Sequence, residues 1–341
     1  MGRKKGKVSI YSLAKEFGCT PSTVSKAFAN STEVSDSLRR RIHARADELN
    51  FRPHSTRRRA QNLCALVCMG EEEELRLYGY LEPVIQGIHR FCREKGLEFS
   101  LFAETRKGLE SINLAKELRH RNADCAVVLG AGNEEKFLSN LKKNRMPYAC
   151  VYDGSAGQTV TVDNREAGRL AANYLLQMGH SRLAIATGEP QRESSKDRCR
   201  GFEEGANAQG SAAAVSVLSP QAGLAGEEWG GKILDDWLEG GRPFTALFTL
   251  GENIALGFLS QCAIRRVHVP SEISVITCDN LPASSVSAPP LTTVRIPNRR
   301  AGYAAAEWTW KSLNEDRDSV DTVVLPVSEL VTRSSVAAPS K

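Results

Sequence analysis

The sequence has no apolar run that approaches the roughly 20 residues a helix needs to cross a bilayer; residues 123–131, interrupted by Asp124, are among its longest. The basic start from Met1 to Lys7 passes directly into a polar, capped pattern, without the apolar segment that drives secretion. Membrane and exported proteins are both disfavoured, and a cytoplasmic address is expected. Nine cysteines stand at 19, 64, 68, 92, 125, 150, 199, 262 and 278, an odd number without one C-x-x-C pair. Their mostly apolar neighbours mark them as buried reduced thiols rather than a disulfide framework or a metal site. The six histidines, at 43, 54, 89, 120, 180 and 268, show no metal-ligand spacing. Missing too are the phosphate loop G-x-x-x-x-G-K-S/T, the nucleophile elbow G-x-S-x-G, the zinc motif H-E-x-x-H and a strand-linked G-x-G-x-x-G. No enzyme class, metal or cofactor is therefore expected.

What is present points elsewhere. The shares of hydrophobic (41%) and charged (25%) residues are those of a globular chain, and 341 residues divide naturally into two or three domains. Charge is split unevenly: residues 1–62 carry 14 Lys or Arg against 5 Asp or Glu, whereas residues 63–341 carry 31 against 35. Positive charge concentrated on one small region is the footprint of phosphate-backbone binding, although a basic tail can also serve solubility.

Within residues 8–50 the pattern is helical, in three short pieces. Ser9 can cap a first helix through Phe17, Gly18 breaks it, Thr20 can cap a second from Pro21, and Ser35 can cap a third to Leu49. Ile10, Leu13, Ala14, Phe17, Val24, Ala27, Phe28, Leu38, Ile42, Ala46 and Leu49 recur at steps of three and four, enough for one small core. The tight Gly18-Cys19 connection suits two crossed helices, a helix-turn-helix. Phe51-Arg52-Pro53 ends the third piece, because proline disfavours helical geometry in the residue before it.

From Leu63 onward, strands and helices alternate. Apolar runs at 64–69, 100–103, 125–129, 148–152, 183–187, 215–218, 246–250 and 274–278 look like buried strands. Helical patterns lie between most of them, as at 81–95, 167–178, 227–238 and 253–263. So many units imply two doubly wound parallel sheets, in which ligands lodge beyond the carboxyl ends of the strands. A surface loop is expected within the Ala, Ser and Gly-rich stretch at 207–226, and a polar tail after Arg333.

Four segments in order resemble the lactose-repressor (LacI/GalR) family. They are residues 12–26 (SLAKEFGCTPSTVSK) followed by Val34-Ser35 and Arg41-Ile42, residues 162–168 (VDNREAG) with Gly179-His180, residues 269–275 (VPSEISV), and residues 290–294 (PLTTV). The resemblance covers nearly the whole chain. It implies a small all-α helix-turn-helix head joined to a two-subdomain α/β sensor like a periplasmic binding protein. The expected divisions are a DNA-binding head at 1–53, a basic linker at 54–63, a first sensor subdomain at 64–159 plus 293–319, a second at 160–292 plus 320–333, and a tail at 334–341. The implied function is a transcriptional repressor whose operator affinity is set by a small molecule, a sugar or sugar derivative, bound between the subdomains. The implied partners are near-palindromic double-stranded operator DNA and a second copy of the chain. The alternative is a sugar-binding protein without a regulatory role, which would have no use for residues 1–62.

Matched position by position, the resemblance gives Pro21, Ser22 and Lys26 to base reading in the major groove. Lys26 stands where the family usually has arginine, which exchanges a two-pronged contact for a point charge. Pro21 can offer only apolar contact, or serve as a plain first-turn residue. Ser12, Thr23, Ser25 and Asn30 suit phosphate contact or capping. The linker departs from the family: Pro53 is followed by His54, Ala60 stands at the place of a minor-groove leucine, and Arg57-Arg58-Arg59 intervenes. The three arginines suit a narrow minor groove or phosphates, or else form a solvated linker.

In the sensor, Arg198 and Asp279 match effector-binding positions, with a structural salt bridge across the cleft as the competing reading. Tyr78 and Tyr80 precede the first sensor helix, where an aromatic can stack on a sugar or pack in the core. The family's frequent Asn-Asp pair is Gly251-Glu252 here, so relatives do not give the ligand. Asp163 and Asn164 are expected to cap the helix that follows them.

Overall fold

The capping residues place the helix ends of the head much as the sequence implies. The computed structural model describes residues 9–28, 33–49, 51, 62–70, 79–132, 135–153, 158–208, 213–221, 224–315 and 322–340, in two units, Met1–Gln61 and Asn62–Lys341. In the first, α1 (Ile10–Glu16), α2 (Pro21–Phe28) and α3 (Asp36–Glu48) surround one small core. Ser9 caps α1 through a reciprocal box with Ser12. Gly18 turns the chain in the left-handed region (φ +63), and the Cys19 N–H returns to the Ala14 carbonyl at 3.0 Å. All eleven apolar residues of the helical pattern enter the core, joined by Cys19, Val34 and Phe51.

The second unit alternates strands and helices in the order β1 (Asn62–Met69), α4 (Leu81–Lys95), β2 (Glu98–Thr105), α5 (Arg106–Ser111), α6 (Leu114–His120), β3 (Cys125–Leu129), α7 (Lys136–Lys143), β4 (Tyr148–Val151) and β5 (Gln158–Val162). It continues with α8 (Asn164–Gln177), β6 (Arg182–Ala186), α9 (Glu193–Asn207), β7 (Ala214–Leu218), α10 (Gly226–Glu239), β8 (Ala246–Thr249), α11 (Glu252–Arg265), β9 (Ser274–Cys278) and α12 (Pro282–Val286). Last come β10 (Thr292–Val294), α13 (Asn298–Glu315), β11 (Thr322–Leu325) and β12 (Leu330–Val331). One sheet has the order β11-β5-β4-β3-β1-β2, the other β12-β10-β9-β8-β6-β7. Pairing is parallel throughout except between β10 and β12. Each sheet therefore reverses its strand order once, between β1 and β3 and between β6 and β8, and such switch points open ligand crevices at the carboxyl ends.

The expected subdomain boundaries need correction. The strand β5 belongs wholly to the first sheet, so the chain first crosses after Val162 rather than after 159. The strand β10 pairs with β9 in the second sheet and β11 with β5 in the first, opposite to their places in the expected 293–319 and 320–333, whereas α13 packs on the first sheet and β12 joins the second as expected. Strands of three, four and two residues carry too little pattern to reveal their sheet. The linker is also shorter than expected, because β1 begins at Asn62.

The tail is not free. Val275 N donates to the Ser335 carbonyl at 2.8 Å, Thr292 N to Ser335 Oγ at 2.8 Å and Ala337 N to Ser274 Oγ at 3.1 Å, and Ser335 is fully buried. Two of the helix pairs, α8 with α9 and α10 with α11, cross where glycine removes the side chain. A Cβ on Gly168 would overlap the Arg198 carbonyl, and one on Gly230 the Ile254 carbonyl. Seven cysteines are buried, and Cys19 and Cys199 are partly so. Burial pushes the Cys92 and Cys199 thiols up to about 11 and those of Cys150 and Cys262 to about 12. Among the described residues no helix is long and apolar enough to cross a membrane.

Candidate DNA-reading face and effector cleft

The helix α2 buries Val24 and Ala27 in the head's core, which turns Ser22 and Lys26, one helical turn apart, to solvent. Pro21 occupies its first position, where a missing N–H costs nothing. Thr20 Oγ1 accepts from Thr23 N at 3.1 Å and lies 2.9 Å from Thr23 Oγ1, so the Thr23 hydroxyl shares in the cap. Ser12 Oγ accepts from Ser9 N at 2.8 Å and donates to Ser9 O at 2.7 Å. Both hydroxyls are thus used locally, while Ser25 is half-buried on α2. Lys26 Nζ is ion-paired to Glu33, a partner that the sequence reading missed. Missed as well is Tyr11, which is 75% exposed on α1. Its sign was an aromatic standing outside the apolar period. Asn30, Pro53, His54, Arg57, Arg58, Arg59, Ala60 and Tyr78 lie outside the described residues.

In the second unit the carboxyl ends of the strands bring together polar groups from both sheets. Arg198, on α9, donates through Nε to Asn164 Oδ1 at 2.9 Å and through a terminal nitrogen to Cys278 Sγ at 3.4 Å. Asn164, expected only as a cap, is 5% exposed and serves as the arginine's seat; Asp163 does cap α8, accepting from Glu166 N at 2.9 Å. Burial works against the Arg198 charge, but Cys278, Asp279 and Tyr152 outweigh it and hold the guanidinium above its ordinary range. Asp279 follows β9 in the left-handed region (φ +84), a conformation that costs a non-glycine residue about 1–3 kcal/mol. Its Oδ1 accepts from Asn298 Nδ2 at 3.4 Å. Cys278 Sγ in turn donates to Asp279 Oδ2 at 3.7 Å, so Arg198 and Asp279 converge on Cys278 while each hydrogen-bonds to neutral groups.

Tyr80 meets Tyr152 edge to face, with ring centroids 5.4 Å apart. Tyr152, also left-handed (φ +74), donates its hydroxyl to Asn298 Oδ1. Burial, reinforced by Asp279, holds the Tyr152 phenol well above its ordinary range, so it acts as a neutral donor. Beside it, Asp153 is 6% exposed and accepts from Arg192 at 3.3 Å, Ser194 N at 3.4 Å and Ser194 Oγ at 3.3 Å. These contacts tie the end of β4 in the first sheet to the start of α9 on the second. The sequence reading missed Tyr152, Asp153, Arg192, Ser194 and Asn298. A polar residue ending an apolar run was the available sign for Tyr152-Asp153. Glu252 is buried and accepts from Ser284 N at 2.8 Å and from Ser284 Oγ, joining α11 to α12. Burial raises the pKa of its carboxyl group.

The model for lacI-family bacterial regulatory proteins matches residues 9–54, and that for a periplasmic binding protein-like domain matches residues 172–336. The HTH-type transcriptional repressor PurR of Aliivibrio fischeri (strain MJ11) is 29% identical over 341 residues, covering 96% of this chain and 98% of its own. The HTH-type transcriptional regulator DegA of Bacillus subtilis (strain 168) is 25% identical over 97% of this chain and 98% of its own. Among solved structures, a complex of the transcriptional regulator CelR with cellobiose aligns with a TM-score of 0.70 at 21% identity, covering 96% of this chain and all of that one. The lac repressor dimer bound to operator and the anti-inducer ONPF aligns at 0.69 and 19% identity, covering 97% of this chain and 99% of that one.

Proposed function

The chain belongs to the lacI family of bacterial regulatory proteins, DNA-binding transcriptional repressors with a ligand-sensing domain, and we propose that it reads a near-palindromic operator as a cytoplasmic homodimer through Pro21, Ser22 and Lys26. The observation that carries this reading is the outward turn of Ser22 and Lys26 on a helix whose opposite face is anchored by Val24 and Ala27. Ser22 can donate or accept at a base edge, and Lys26 can donate to guanine O6 or N7. Thr23 and Ser25 on α2 serve the phosphates with Asn30 and the Arg57-Arg58-Arg59 linker, positioning the head without reading sequence, whereas Ser12, whose hydroxyl hydrogen goes to Ser9 O, serves the cap of α1.

The operator grip is tuned by a polar effector held by Arg198 and Asp279 beside Tyr80. Among the described residues the hydrogen bonds of the two charged groups go to neutral partners, so each retains capacity for a ligand's acceptors and donors. A sugar or sugar derivative fits this demand, since each hydroxyl both donates and accepts, and a tyrosine offers an apolar face to the ring. Arg192, Ser194 and Tyr152 complete the polar lining.

The reading is tested by selecting binders of the full-length chain from a random duplex pool and then screening sugars and other metabolites for altered affinity. A near-palindromic consensus is expected, and Lys26→Ala should relax one base pair per half-site by about 1–3 kcal/mol. A pool that enriches no palindrome overturns the proposal.

A further inference from the structure

The head's described acids have distinct employments. Glu16 and Glu48 both pair with Arg45, at 2.6 and 2.7 Å, tying α1 to α3. Asp36 opens α3 and pairs with Arg39 at 2.8 Å. Glu33 instead reaches back from the turn before α3 to Lys26 in the last turn of α2. Among the described residues of the head it is the acid spent on a side chain of the reading face. The pair is open to solvent, with side-chain exposures of 45% for Lys26 and 65% for Glu33. It is therefore of little use for stability, since exposed ion pairs contribute little. Its position matters more, because a carboxylate within ion-pair reach of a base-reading ammonium must itself lie at the DNA face.

We propose that Glu33 is a specificity-determining residue that neutralises Lys26 toward DNA at large and releases it only to a matching base. This rests on the reading of Lys26 given above. On random duplex, the lysine offers a phosphate nothing that Glu33 does not already take. Lys26 then releases no counterion, and the charge count that governs non-specific affinity falls by one for each head. At the correct site, guanine O6 and N7 present acceptors in the groove, where the ammonium can leave the carboxylate or share its three hydrogens with it. Glu33 thus depresses non-specific binding more than operator binding, and the ratio of the two increases.

The experiment compares the full-length chain with Glu33→Gln, Lys26→Ala and the double variant, on the selected operator and on random duplex, over a salt series. Glu33→Gln should bind random duplex about 3- to 10-fold more tightly and steepen the salt slope by about 1.8, the value of one further phosphate for each head of the homodimer. Operator affinity should rise less, so discrimination falls. In the Lys26→Ala background the same change should lose most of its effect. Unchanged random-duplex affinity for Glu33→Gln overturns the proposal, as does an undiminished gain without Lys26. If Lys26→Ala leaves base discrimination intact, it is the reading of Lys26 that fails. If Lys26→Ala abolishes discrimination while Glu33→Gln behaves as the parent, only the role of Glu33 fails.

Discussion

His180, only 2% exposed, has Nδ1 at 2.9 Å from Thr245 Oγ1 and Nε2 at 3.0 Å from Ser274 Oγ and 2.9 Å from the Ala337 carbonyl. Burial lowers its pKa below the ordinary 6.5, against a smaller opposing effect of the Ala337 carbonyl. The folded chain then binds fewer protons than the unfolded chain at mildly acid pH, so this contribution to stability is complete above about 6.5 and is lost as pH falls through the folded value. Urea midpoints should drop between pH 7.5 and 5.5. His180→Ala should cost about 1–3 kcal/mol at pH 7.5, flatten that part of the profile and speed carboxypeptidase trimming of the tail; an unaltered profile would show that His180 is not the group whose titration lowers stability. The residue was legible as part of a family segment, but its partners Thr245, Ser274 and Ala337 lie 65, 94 and 157 positions away. Distance along the chain hides the proposed effector cleft in the same way. Arg198 and Asp279 could be named through resemblance, whereas Asp153 with Arg192 and Ser194 required the fold.

Long elements were legible because each shows its own period: the sequence pattern at 81–95 is α4 to the residue. Short ones were not, and β10 and β12 were found only through their pairing with neighbours. The glycines at helix crossings fall between these cases, since Gly168 was visible within a family segment but its contact was not. The backbone of α8 approaches α9 so closely at Gly168 that an added methyl meets the carbonyl of Arg198 and the amide of Phe202. Both belong to backbone, so the helix itself must move. Gly168→Ala should destabilise the chain by about 1–3 kcal/mol and displace Arg198 from Asn164. Denaturant unfolding and effector titration measure the two effects. Full stability in the variant would mean that the crossing tolerates displacement, and normal effector affinity would mean that it does not position Arg198.

Across the whole second unit, two sheets with the same strand order are joined by three chain crossings, after β5, after β10 and after β11. Side chains bind them again at the strand ends. Tyr152 reaches Asn298, Asn298 reaches Asp279, and Asp153 reaches Arg192 and Ser194. These contacts lie beside the residues proposed for the effector, so on that proposal their strength sets how readily the cleft opens for it. Asp153 is the better place to test this, because Tyr152 and Asn298 are shared with Asp279. Hydrogen bonds to a charged group contribute about 1.5–3 kcal/mol, which corresponds to an opening equilibrium shifted by roughly tenfold or more. Asp153→Ala should therefore accelerate hydrogen exchange at the start of α9, where Ser194 N now donates to Asp153, by about that factor. Exchange at the core strand β3, buried throughout, should stay slow, which distinguishes opening from unfolding. Unchanged exchange at Ser194 would show that the crossings alone hold the sheets together and that Asp153 has no part in closing the cleft.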